Sequence, residues 1–170
     1  MSAIDRAYSK IAKQRYGLRD ITDENGDVPD SRKEHFIYGT AEAGSSLAIA
    51  AGTVISMPIN ISQEADFVAT KIVQSFVKGD PANTWSVEFI TSDTSRQLQN
   101  TPIPQDSFFG TAQLPGIFSM PRILWRNTTV QFRITREVAG VTAPDLIWIA
   151  MWGYKVFYDL SNLNLTTRTM

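Results

Sequence analysis

The sequence predicts a mostly β protein: an antiparallel β-sandwich, jelly-roll-like, with an N-terminal amphipathic helix and arm. Three observations predict it. Apolar and polar residues alternate over several short stretches, the period of a half-buried strand. Turn residues cluster between those stretches, with no helical stretch intervening. Only the start of the chain shows the helical period.

Ile4, Ala7, Tyr8, Ile11 and Ala12 recur at helical spacing among Asp5, Arg6, Lys10 and Lys13. Ser2 suits the N-cap and Gly17 the stop, which predicts a helix of about four turns. A helix this short is marginal alone in water. It must lie on its own domain or on a neighbouring subunit, and both remain open. Residues 18–35 are polar and acidic, with Gly26 and Pro29, and read as an extended linker. Residues 1–35 thus form a helix and arm, and the sandwich domain spans 36–160.

Within that domain, Phe36 to Thr40 and Phe67 to Val77 are weaker strand candidates. Ile55, Met57, Ile59 and Ile61 mark a clear strand, as do Trp85, Val87 and Phe89, and Val130, Phe132 and Ile134. Leu146 to Phe157 is nearly continuous in apolar residues and predicts a central strand covered on both faces. Turn signals separate these runs at Ala51-Gly52, Lys78 to Pro81, Asn100 to Pro102, Leu114 to Gly116, Arg126-Asn127 and Ala139-Gly140. A Greek-key jelly roll accommodates such an order. Thr101 to Pro121 carries four prolines and two glycines and reads as a long ordered loop crossing between sheets. Residues 161–170 form a polar tail or an added edge strand.

Composition narrows the chemistry. Charged residues make up 19% and the formal net charge is -1, so no global basic field collects nucleic acid. No apolar run is long enough for a membrane-spanning helix. The start lacks a cationic segment followed by an apolar one, which predicts a chain made in the cytosol. There is no cysteine, which excludes disulfides and thiolate chemistry. His35 is the sole histidine and sits in the linker, so a serine triad or an ordinary zinc site has no imidazole to build on.

The acidic run Asp20, Asp23, Glu24, Asp27, Asp30 around Asn25-Gly26 suggests a calcium loop. Setting Gly26 at the loop's sixth position puts Ile21 first and Arg32 twelfth, so the EF-hand pattern fails at both ends. Glu64, Asp66, Glu88, Asp93, Asp106, Glu137 and Asp145 show no spacing that pairs two carboxylates for glycoside hydrolysis. No phosphate-binding glycine loop is present. Arg122, Trp125, Arg126, Phe132, Arg133 and Arg136 are the nearest thing to a nucleic-acid groove, but a solvated strand face accounts for them. Trp148, Trp152, Tyr154 and Phe157 read as core or subunit-interface packing rather than as a sugar-stacking platform. The expectation is a protein with no catalytic residues, no metal and no cofactor.

Several pieces occur in a telling order. Phe36-Ile37-Tyr38 leads to the Ile55 to Ile61 strand, then to Glu64 to Ile72 and Phe89 to Leu98. A Pro-rich crossover from Thr101 to Gly110 follows, then Met120-Pro121-Arg122, Asn127 to Val130 and Met151 to Phe157. In this order the chain resembles tailed-bacteriophage virion structural proteins of the jelly-roll capsid decoration or cement type. The resemblance implies a homo-oligomer, trimer favoured, seated on the major capsid protein or other virion proteins. It implies location in the virion after synthesis in the host cytoplasm. It also implies an N-terminal arm reaching a neighbour, with Ile4, Tyr8, Ile11 and Tyr16 as its apolar contacts. Two other stations compete: a tail, baseplate or head–tail connector component, and a lectin-like carbohydrate-binding module.

Overall fold

The computed structural model describes residues 8, 10–12, 14, 28–43, 52, 54–77, 84–92, 96–97, 99–110, 113–137 and 146–157. Among them run β1 (Lys33–Ala43), β2 (Val54–Asn60), β3 (Ala65–Val77), β4 (Trp85–Thr91), β5 (Arg96–Gln97), β6 (Ile103–Pro104), β7 (Gly116–Leu124), β8 (Thr129–Arg136) and β9 (Leu146–Phe157). A 3-10 turn, Asp30–Arg32, leads into β1, and one helical turn, Gln105–Phe108, follows β6. Tyr8, Lys10, Ile11, Ala12 and Gln14 are helical, within the stretch the apolar spacing predicts.

The pairing is nested. β1 pairs with β9, β2 with β8, β3 with β7, and β4 with both β5 and β6, all antiparallel. That is one long hairpin laid out from both ends of the chain. β9 also pairs with β3, and β8 with β4, which rolls the hairpin into two sheets. The strand orders are β1-β9-β3-β7 and β2-β8-β4-β5, with β6 beside β4. This is the jelly-roll arrangement of two facing antiparallel sheets.

Period-two alternation builds the core. On β8, Val130, Phe132 and Ile134 point inward, and their neighbours Gln131, Arg133 and Thr135 do not. They meet Met57 and Ile59 of β2, Val87 and Phe89 of β4, Phe67, Ala69 and Ile72 of β3, and Ile147, Ile149 and Met151 of β9. Phe89 and Phe132 pack edge-to-face at 5.0 Å, and Tyr38 and Phe67 at 4.9 Å, geometries that suit the ring quadrupole. Arg136 is buried at the end of the same row, its guanidinium 5.6 Å from the Trp85 ring opposite it.

Three expectations shift. Strand β1 begins at Lys33 and runs to Ala43, so His35 lies on a strand, exposed, rather than in a linker. The Thr101 to Pro121 stretch is not one loop: it holds β6, the helical turn and most of β7. Pro121 and Pro58 fit because β7 and β2 are both edge strands, where a missing N–H leaves no ladder gap. Strand β9 is central, but both of its faces are covered only over Lys155 to Phe157; Trp148 and Trp152 stay exposed. The tail from 161 onward lies outside the described residues.

Candidate functional site

The two outer faces differ in chemistry. That of the β2-β8-β4 sheet is polar, with Ser56, Asn60, Gln131 and Thr135, and an Arg133–Glu88 ion pair at 3.0 Å. It reads as a solvated face. The outer face of the β1-β9-β3-β7 sheet is largely apolar, and it falls into a covered end, an open middle and a protruding edge.

The covered end starts from the cross-strand row His35, Tyr154, Val68, Ile123. Tyr8 and Ala12 of the N-terminal helix, with Val28, pack on Val68, Trp125 and Val156 there. The Tyr8 ring stacks on Trp125 with centroids 6.3 Å apart. Its hydroxyl donates to Asp66 Oδ2 at 2.8 Å, and the Arg126 backbone N–H donates to Asp66 Oδ1 at 2.7 Å. Asp66 is fully buried, and these donors meet the requirement that a buried carboxylate be hydrogen-bonded.

The open middle is made by a bulge. Ala69 pairs with Gly153 and Lys71 with Trp152, so Thr70 is an extra residue on β3. The bulge flips the strand's parity. Phe67 and Ala69 point into the core before it, Ile72 after it, and Thr70 and Lys71 fall together on the outer side. Thr70 Oγ1 donates to the Trp152 carbonyl at 3.1 Å and pins the bulge. The next cross-strand row is Ile37, Trp152, Lys71, Ile117, one residue from each of the four strands. Around Trp152 lies a shallow, open dish of about 810 Å³, whose lining includes His35, Ile37, Thr70, Lys71 and Tyr154.

The edge is β7. Between the pairs Ala69–Arg122 and Lys71–Ile117, β7 advances five residues while β3 advances two. The surplus arches outward. Phe118 still packs on the core, but Met120 is 73% exposed, Ile117 72% and Leu114 80%. These are the three most exposed large apolar side chains among the described residues.

At one rim of the sandwich Lys155 points inward, almost entirely buried, and ion-pairs with Glu64. Its ammonium also lies 3.8 Å from the centre of the Phe36 ring. Ser62 Oγ donates to Glu64 at 3.3 Å, and Tyr38 OH accepts the Ser62 N–H at 3.0 Å. The hydrogen bond from Lys155 holds the Glu64 carboxyl below the ordinary carboxylate range, against the opposing effect of burial.

The residues singled out from sequence are therefore scattered. Tyr8 is buried in the helix seat and Ile11 is exposed beside it, while Ile4 and Tyr16 lie outside the described residues. Trp148 and Trp152 open onto the outer face, Tyr154 is half-buried beside the seat, and Phe157 is buried. The arginine set does not form one groove: Trp125, Phe132 and Arg136 are buried, and Arg133 pairs with Glu88. Among the described carboxylates, Glu137 accepts from Ser86 and Asp106 from Gln74, while Asp93 and Asp145 lie outside the described residues. Of the acidic run, Asp30 is in the 3-10 turn and pairs with Lys33 at 3.5 Å; residues 20–27 lie outside the described ones. Among the described residues no group of three or more His, Asp or Glu is placed to hold a metal, and no helix is long and apolar enough to cross a membrane.

Sequence reasoning missed Thr70, Lys71, Leu114, Ile117 and Met120. The slip from Phe67 and Ala69 to Ile72 was a visible break in period two and marks the bulge. The β7 residues were hidden inside a Pro-rich stretch.

No protein-family model matches the chain, and no curated protein matches it in sequence. Among solved structures it is similar to the VP2 subviral particle of infectious bursal disease virus, with a TM-score of 0.30 and 11% identity. The match covers 74% of this chain and 38% of that one, so the chain spans well under half the length of the chain it matches.

Proposed function

We infer that the chain is a structural subunit of a virus particle, of the phage capsid decoration or cement type, which works by assembling with itself and with a capsid lattice. One observation supports its assembly: Ile117 and Met120 on the β7 edge, with Leu114 just ahead of that strand, are exposed to solvent. An exposed apolar sheet edge is a site of pairing with another chain unless it is blunted. Here Pro121 and Arg122 stand at the far end of the arch from Leu114 and Ile117, and all three apolar side chains stay exposed. The jelly roll is a scaffold that capsid domains and lectins share, so the fold is compatible with the role without assigning it.

Magnitudes say how the contact works. Full burial of each of the three side chains contributes roughly 1.5–3 kcal/mol. Association costs about 4–15 kcal/mol in lost freedom. A single contact is therefore marginal, and repetition around a closed ring or over a lattice makes it stable. A trimer requires a heterologous contact, the β7 edge of one subunit against a different surface of the next. Symmetric β7-to-β7 pairing would give a dimer instead.

Sedimentation velocity over a wide concentration range tests the proposal. A single closed species larger than the monomer supports self-assembly. A monomer at every concentration contradicts it.

A further inference from the structure

The dish around Trp152 is separate from the β7 edge and has its own chemistry. Its floor is one indole, 44% exposed, flanked across the sheet by Ile37 and Lys71. The bulge sets the side chains of Thr70 and Lys71 on the same face, which a regular strand does not do for consecutive residues. His35, the chain's sole imidazole, stands at the rim opposite Tyr154. Among the described residues, those that line the dish include Lys71 and His35 and no carboxylate, in a chain whose net charge is -1. Lys71 shows no ion pair among the described residues.

Shape and charge together select the ligand. An apolar drug-like molecule needs an enclosed pocket that buries most of its surface, and this dish is open. A polyanion such as nucleic acid needs a run of cations, and the described lining offers one lysine and one imidazole. A pyranose fits better: it has one apolar C–H face for the indole and hydroxyls around its rim. A carboxylate on that ring answers Lys71.

We propose that the Trp152 dish is a binding site for a carboxylated saccharide, with the sugar ring stacked on Trp152, its carboxylate on Lys71 and its hydroxyls on Thr70 and His35. The contact area is small and each site is weak. The site itself does not need assembly, but many copies on one particle would turn weak sites into firm attachment to a glycan-bearing surface. That gain in avidity rests on the assembly proposed above. The site's intrinsic affinity does not, so the two fail independently.

The test is titration of the full chain, followed by tryptophan fluorescence and saturation-transfer NMR. The probes are 3′-sialyllactose, trigalacturonate and, as the neutral control, lactose. At least one acidic probe should bind about fivefold or more tightly than lactose, the factor a charged contact of about 1 kcal/mol supplies. Binding of sialyllactose alone identifies a terminal sialic acid as the source, and of trigalacturonate alone a uronate polymer. Lys71→Gln, an exposed change that leaves the core intact, should bring acidic and neutral probes to the same level. Trp152→Ala should remove binding of all three. Trp148→Ala, four residues and about 13 Å away along the strand, should leave it unchanged. The proposal is overturned if neither acidic probe binds, if lactose binds equally well, or if Lys71→Gln keeps the preference.

Discussion

The phenol of Tyr8 donates a 2.8 Å hydrogen bond to the fully buried carboxylate of Asp66, a residue 58 positions further along the chain. This bond, with the stacking of Tyr8 on Trp125, docks the N-terminal helix on the outer face of the sandwich. The sequence alone left open whether that helix packs on its own domain or on a neighbour, and in the isolated chain its Tyr8 side chain is seated at home. Tyr8→Phe keeps the ring and removes the donor. It should cost about 1–3 kcal/mol, because a buried acceptor loses one partner. Urea unfolding should show a lower midpoint with an unchanged slope. A midpoint equal to that of the parent protein would mean that the Tyr8 hydroxyl adds nothing to stability.

The Lys155–Glu64 pair makes a pH prediction. The Glu64 carboxyl titrates lower in the folded chain than in the unfolded one, so the unfolded chain binds the proton more readily. The stability it contributes is complete above the ordinary carboxylate value of 4.5 and is lost as the pH falls through the depressed folded value. Half of the Glu64 side chain faces water, so screening keeps the effect modest. Thermal melts at pH 6 and pH 3 should show a smaller acid-induced drop for Glu64→Gln than for the parent. At pH 6, Glu64→Gln should itself be less stable, since it strands a buried ammonium against the Phe36 ring.

Gly153 is fixed by the bulge. A Cβ there would lie 2.0 Å from the Val68 carbonyl oxygen, a backbone atom that cannot rotate away. Gly153→Ala should therefore cost about 1–3 kcal/mol or more, the range for an overpacked site. It should also widen the dish that Trp152 floors. Denaturation midpoints test the first effect. A neutral Gly153→Ala would contradict the close approach of Gly153 to the Val68 carbonyl.

Legibility followed the physics of each element. Strands with one wet face were plain, because burial on one side only writes period two into the residues: Met57 and Ile59, Val87 and Phe89, Val130, Phe132 and Ile134 all point inward as read. The helix was plain from its own period, and among its described residues it buries Tyr8 and Ala12. Strand β3 was weaker in sequence because the bulge at Thr70 breaks its alternation, and that same bulge creates the dish. Trp148 and Trp152 were read as core or subunit-interface packing, since aliphatic neighbours surround them in sequence. On a strand those neighbours face the opposite side, so neither ring is in the core and both stay exposed on the outer face. The β7 edge was illegible: its proline and glycine signal a loop, and an edge strand tolerates both.

The most direct test of the account is the molar mass by light scattering of the parent protein and of Ile117→Ser/Met120→Ser. Both substituted side chains are exposed, so the fold should survive, and circular dichroism checks that. The expected result is an oligomer for the parent, three times the 19.0 kDa chain for the favoured trimer, and a 19.0 kDa species for the double variant. A monomeric parent, or a folded variant that still assembles, would contradict the claim that this chain works by assembly through its β7 edge.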